Sequence, residues 1–341
     1  MAERVNPSPL PDRLGESGDW LVQAIDPQAR LARLICMDAL AYRDASFLDD
    51  RILPAGKPSL LCKLDDLIVR ASEVSSPPAG WIFHIGHVGS TLVSRLLGEF
   101  EGVLAIREPR SLRDLTATSG EEQRRLATAL RRLMARRGAN DRTVVVKATS
   151  FVSEVAPLLV EARAPVLFLY ATPENYIASI LAGENSLKEL AALQSFRTDR
   201  LRRRGIALDG FDGSNAHRAA AAWACEMTSL EAAAVGMPHG EIRWADFDAI
   251  LVDMADWLDQ AAGHFGIEAA SGVAGAIAAG PLMRRYSKAL EYDYSPGLRA
   301  ELLAEARYRH GADIEAAISA LADVGRSSPL VAQALQRAER E

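Results

Sequence analysis

The chain has 341 residues, 49% of them apolar and 25% charged, with a formal net charge of −6. That is enough apolar material for a sizeable core and too much for a disordered chain. The negative balance argues against a protein that coats nucleic acid, although local basic clusters could still hold phosphates. The three cysteines, Cys36, Cys62 and Cys225, are too widely spaced for a CxxC or zinc pattern and read as buried or half-buried thiols. The N-terminal stretch has no apolar h-region. The longest uncharged run, Ala269 to Met283, is too short and too rich in Gly and Ala to span a bilayer. A soluble, cytoplasmic protein with no membrane partner is the expectation.

Residues 1–17 are Pro-rich and polar and read as a loose arm. Helical spacing in Leu31, Leu34, Ile35 and Ala39, and a second apolar run from Leu60 to Ala71, predict a partly helical N-terminal extension over residues 1–78. The Ser75-Ser76-Pro77-Pro78-Ala79-Gly80 stretch breaks the pattern and sets the boundary of the main domain, residues 79–341. Trp81 to Ile85 then reads as a buried strand, followed by a small-residue loop and a helix with Leu92, Val93, Leu96, Leu97 and Phe100 on one face. Further strands are predicted at Gly102–Ile106, Thr143–Val146, Pro165–Tyr170 and Glu241–Trp244, alternating with helices. Continuous apolar strands separated by helices predict an α/β fold, a central parallel sheet covered by helices on both faces. The segment from Gly183 to Asp212 is polar and basic, with Arg197, Arg200, Arg202, Arg203 and Arg204, and reads as a solvated face or a lid that closes on phosphates. Gly280 to Lys288 reads as a loop with cations, and helices follow Ser295-Pro296.

The loop Gly86-His87-Val88-Gly89-Ser90-Thr91 is the main candidate site. Glycines allow a sharp turn and a close backbone approach. The helix start behind them offers free N–H groups to an anion. A βα turn with small residues for close packing reads equally well. The loop is not a Walker A motif, because the Gly-Lys-Ser/Thr ending is missing. The third strand ends in Lys147 and the fourth in Tyr170-Ala171, and no strand end is expected to offer the Asp that a Mg-nucleotide site wants. No metal is expected. His87 could be charged beside an anion, since a free imidazole titrates near about 6.5. Glu108 could take a proton from a hydroxyl, or pair with Arg107. Lys147 lies where α/β sheets put ligands, or is a solvated rim charge. His84 and Trp223 read as core residues.

In order and spacing, these residues resemble the sulfotransferase family that uses 3′-phosphoadenosine 5′-phosphosulfate, with the bacterial and tyrosylprotein-type branch nearest. The resemblance spans about residues 80–290, on a P-loop-like scaffold. The family's Pro-Arg/Lys-Ser-Gly-Thr-Thr-Leu-Leu loop is matched by Gly86-His87-Val88-Gly89-Ser90-Thr91-Leu92-Val93, and its Glu after the second strand by Glu108. The strand, Arg-Asp-Pro and helix Ser that bind the 3′-phosphate are matched by Ala171-Thr172-Pro173 and Ser179. Trp223, the segment Arg243 to Phe247, and Tyr286-Ser287-Lys288 fall at further family positions. The resemblance implies sulfuryl transfer from that donor to a hydroxyl or amine. Gly86 to Leu92 would hold the 5′-phosphosulfate, and Ser179, Arg284, Arg285 and Lys288 the 3′-phosphate. His87 and Lys147 would offset charge, and Glu108 would be the base. Two departures stand out: His87 replaces the loop cation, and Ala171 replaces the 3′-phosphate Arg. The alternatives left open are a nucleotide-dependent phosphotransferase on the same scaffold and a non-catalytic nucleotide- or anion-binding protein. The partners expected are a nucleotide-type donor and an acceptor that the sequence does not name; it is equally silent on oligomeric state.

Overall fold

A computed structural model describes residues 7–237, 239, 241–285 and 295–339. Its centre is a five-stranded sheet, all parallel, in the order β5-β6-β4-β7-β8. The strands are β4 (Gly80–His84), β5 (Val103–Arg107), β6 (Thr143–Lys147), β7 (Pro165–Tyr170) and β8 (Glu241–Asp246). β4 and β7 are apolar throughout their middles and buried on both faces, as a parallel sheet between helical layers requires. Along one flank α3 (Ser90–Leu97), joined by α11 (Met254–His264), lies against β4, β5 and β6. A second helical layer gathers around α9 (Asn215–Gly236): α7 (Pro173–Leu181), α8 (Glu184–Arg203), the long α13 (Pro296–Ser327, broken at His310) and α14 (Pro329–Glu339). The chain leaves β4 toward the β5 edge and leaves its neighbour β7 toward β8. A crevice therefore opens at the C-terminal ends of these strands, the usual ligand position in such sheets.

The N-terminal extension corrects the sequence reading. Its main element is a three-stranded antiparallel sheet, β1 (Trp20–Asp26), β2 (Leu31–Cys36) and β3 (Ser59–Lys63), accompanied by the short helices α1 (Ala39–Asp44) and α2 (Leu64–Ser72). Leu31 to Cys36 is strand, not helix. Ala32 and Leu34 alternate with less buried Leu31 and Arg33, and pairing with two strands distant in sequence decides between the two periods.

One hydrophobic core runs through the extension and the parallel sheet. β1 packs on α4 (Arg110–Leu115), and α2 on α5 (Gly120–Met134). The Leu48 N–H donates to the Arg107 carbonyl at 2.8 Å, covering part of the β5 edge.

Three buried arginines clasp the backbone of the extension. Arg107 donates to the carbonyls of Tyr42, Arg43 and Ala45. Arg95 donates to Arg43 and Asp44 carbonyls and to Ser46 Oγ. Arg136 donates to the carbonyls of Leu14, Ser17 and Trp20. Burial pushes Arg107 down to about 9 and Arg136 down to about 10, so both stay charged at neutral pH. These carbonyls form the charge-assisted bonds that make the burial tolerable.

Among the described residues, no helix is long and apolar enough to cross a membrane. The remaining helices are α6 (Ala156–Leu159), α10 (Phe247–Ile250) and α12 (Val273–Ala278).

Candidate functional site

After β4 the backbone enters the left-handed region three times, at Gly86 (φ 82°), His87 (φ 56°) and Gly89 (φ 59°). At Gly89 the demand is double, because a Cβ there would also collide with the buried Phe247 ring. Gly89 is the N-cap of α3 and supplies no side chain, so the first N–H groups of the helix have no side-chain cap. They belong to Ser90, Thr91 and Leu92, all of which line a cavity of about 660 Å³. That volume suits a mid-sized organic ligand. Val88 packs into the core.

Two strand ends meet beside the loop. Arg107 of β5 and Lys147 of β6 are register partners, and the Glu108 N–H donates to the Lys147 carbonyl at 2.8 Å. Glu108 takes a left-handed backbone (φ 51°), an unfavourable state for a residue with a Cβ. There its carboxylate meets the Lys147 ammonium, and the two form a salt bridge through Oε1. Lys147 is fully buried and also donates to Thr91 Oγ1 at 3.3 Å. His84, the last residue of β4, stands 3.8 Å from the same Oε1 through its Nε2. Its Nδ1 accepts the Gly86 N–H at 3.0 Å, which places the proton of the neutral ring on Nε2. Among the described residues Glu108 Oε2 has no protein partner. Glu108 does not pair with Arg107, whose side chain is turned to the N-terminal carbonyls.

His87 is held from α8, with Nδ1 3.4 Å from Ser186 Oγ and Nε2 3.5 Å from Glu189 Oε1. Its ring meets Tyr176 of α7 edge-on at 6.3 Å. Ser179, also on α7, lines the cavity. Arg284 and Arg285 are exposed and do not line it; Lys288 lies outside the described residues.

The basic run corrects the sequence reading most. It is the C-terminal half of α8, and two of its inward positions, beside Leu201, are arginines. Arg197 pairs with Glu226 at 3.3 Å and Arg200 with Glu154 at 2.9 Å, both arginines buried. Arg204 bonds Glu154, Ser229, Thr228 and the Cys225 carbonyl. None of the three is a lid over the large cavity.

Cations that the sequence reading missed do line it: Arg51 from the extension, Arg110 and Arg113 from α4, and Arg299 from α13. With Lys147 they make five cations, against the carboxylates Asp49, Glu108 and Glu189. Phe47, Asp49 and Arg51 of the extension line the cavity too, with the Phe47 ring centroid 5.7 Å from Lys147 Nζ. The Arg51 guanidinium lies 3.4 Å over the Phe47 ring and donates to both Asp49 oxygens. Burial raises Asp49, but the bonds from the Arg51 side chain and backbone outweigh it and hold the carboxyl below its ordinary value. Arg110 and Arg113 could have been found by continuing one turn past Glu108. Phe47 and Arg51 had no such signal, because long-range contacts of their segment bring them here.

No family model and no curated protein matches this chain. A solved structure to which it is similar is a sulfotransferase domain from the curacin biosynthetic pathway. The identity is 12%, the TM-score 0.40, and the match covers 68% of this chain and 91% of that one.

Two further expectations resolve on geometry. Trp223 is fully buried, and its Nε1 donates to the Ala171 carbonyl at 2.9 Å, so both are structural at the end of β7. The fifth strand runs two residues further than predicted and ends on a carboxylate, Asp246. That side chain caps α10 by accepting the N–H groups of Asp248 and Ala249. Among the described residues, no cluster of three His, Cys, Asp or Glu side chains could hold a metal ion.

Proposed function

We propose that the cavity carries out sulfuryl transfer from 3′-phosphoadenosine 5′-phosphosulfate to a hydroxyl or amine. The observation that carries this reading is the convergence of Glu108, Lys147 and Thr91 at an uncapped helix start inside one cavity. The open cradle at Gly86, where the nearest atom to an added Cβ is 3.7 Å away, fits an anionic group. Such a donor supplies an electrophilic sulfur and a phosphate leaving group. The N–H groups of Ser90, Thr91 and Leu92 would bind its anionic end. Lys147 would offset negative charge that grows on the bridging oxygen. Glu108 would take the acceptor's proton on Oε2, while Lys147 holds Oε1 and His84 Nε2 stands 3.8 Å from it. Ser179, which lines the cavity, would donate to the 3′-phosphate. Arg284 and Arg285 do not reach that place, so the fit is firmer at the phosphosulfate end.

Calorimetry separates this reading from its rivals. Phosphoadenosine phosphate should bind at micromolar concentration without Mg²⁺. Tight Mg-dependent ATP binding with no response to phosphoadenosine phosphate would sink the proposal. Glu108→Gln should keep that binding within a few-fold and lower turnover by about 10²–10⁴. Surviving turnover would remove Glu108 from its role.

A further inference from the structure

Behind α8, away from the loop, lies a second cavity of about 150 Å³ between α8, α9 and the connection that joins them. Its lining is chemically one-sided. It includes Arg197, Arg218 and His217 and no carboxylate, and the rest of the wall is largely apolar, with Leu190, Leu208 and Phe211. Arg197 is only 4% exposed, and its Nε donates to Glu226 Oε1 at 3.3 Å. Among the described residues its terminal nitrogens make no hydrogen bond, although Tyr176, Glu226 and Glu189 all act on its charge. Arg218 carries a buried Nε that also lacks a partner. His217 is 6% exposed, with Nδ1 at 2.6 Å from Asp212 Oδ1 and 3.1 Å from Ser214 Oγ. A carboxylate can only accept, so Nδ1 bears the proton and the ring is fixed in orientation.

A buried guanidinium nitrogen without an acceptor is costly, and a cavity that leaves Arg218 Nε unpaired beside the Arg197 side chain, with no acid in its own lining, is shaped for an anion. The apolar wall argues about the rest of the ligand. Inorganic phosphate would leave that wall against water. A cavity near 150 Å³ takes a benzene-sized body, and a carboxylate matches the arginine fork.

We propose that this cavity is a binding site for a small organic carboxylate of about benzoate size. The carboxylate sits on Arg197 and Arg218, and the body lies against Leu190, Leu208 and Phe211. The site is separate from the sulfuryl-transfer reading, and either can fail without the other.

Calorimetry on the full chain tests it, with benzoate and hexanoate as probes and with benzyl alcohol and inorganic phosphate as controls. Benzoate or hexanoate should bind saturably, at least tenfold tighter than either control. Arg218→Gln should weaken that binding about tenfold. Ala221→Leu should abolish it by filling the space from a half-buried position, without touching the Arg197–Glu226 pair. Circular dichroism and the melting temperature establish that both variants remain folded. The proposal is overturned if neither acid binds the folded wild-type chain, if phosphate binds as tightly, or if binding persists in both folded variants.

Discussion

Two basic regions of this molecule look alike on paper and behave in opposite ways. The C-terminal half of α8 carries Arg197, Arg200, Arg202, Arg203 and Arg204, whereas β6 ends on one lysine, Lys147. Most of the run is spent internally: Arg200 and Arg204 on Glu154, and the Nε of Arg197 on Glu226, while Arg202 and Arg203 face solvent. The single lysine reaches the loop and lines the large cavity. Position at a strand's C-terminal end outweighs charge density, because the sheet aims that end at the crevice while a helix face can turn its charges inward. An arginine reads as a phosphate ligand of the large cavity only when no acid neutralises it and it faces that cavity, and Arg200 and Arg204 are taken by Glu154 and line none of it.

The sharpest way to break this contrast is to neutralise each region in turn. Lys147→Met should lower transfer activity by about 10²–10³, the scale for removing one preorganised donor, with the melting temperature showing that the fold persists. Full activity in that variant would erase the contrast. Arg200→Met should cost stability instead. Its Nη2 donates to the Phe151 carbonyl at 2.6 Å and its guanidinium stacks 4.3 Å from the Phe196 ring centroid. Glu154 keeps Arg204 as a partner, so the loss should be roughly 1–3 kcal/mol in denaturant unfolding rather than that of a stranded charge. Arg202→Ser, on the solvent side of the same helix, should stay within about 0.5 kcal/mol. A drop in donor affinity with Arg200→Met at unchanged stability would return the run to the site.

The smallest effect is one of pH. Burial holds the Glu226 carboxyl above its ordinary range, against the pull of Arg197 and Arg200. A carboxyl raised in the fold favours folding below its unfolded pKa of about 4.3, and that contribution is lost as pH rises through the folded value. Glu226→Gln should therefore flatten the fall in melting temperature on the rise from about pH 4 toward neutrality, relative to the wild-type chain. An identical slope in both would show that Glu226 titrates in the fold as it does in the unfolded chain.

What was legible in the sequence follows the range of the interactions. The parallel sheet was readable because each strand is a short apolar run with its own punctuation, as in Pro165 to Tyr170. The loop was readable because Gly86 and Gly89 supply backbone states that few other residues tolerate. The N-terminal sheet was not, since Leu31 to Cys36 fits either period and its strand partners lie elsewhere in the chain. The helix α8 was hidden because two of its inward positions are arginines, so its apolar stripe is broken where it is buried. Phe47 and Arg51 join the cavity through long-range contacts of their segment, among them Arg95 and Arg107 on residues 42–46 and Arg110 on Asp50, which local pattern does not encode.

Those clasping arginines have a consequence for how the protein is made. The backbone they hold is synthesised first, and the guanidinium groups arrive later. Arg136 follows Leu14 by 122 residues. At roughly 5–20 residues per second, ribosomal delivery of that clasp lags on the order of 6–24 s behind the segment it secures. Through that interval the nascent N-terminal strands lack both their docking surface and the donors for their carbonyls. The N-terminal strands thus wait for their lock, and translation speed sets how long they wait.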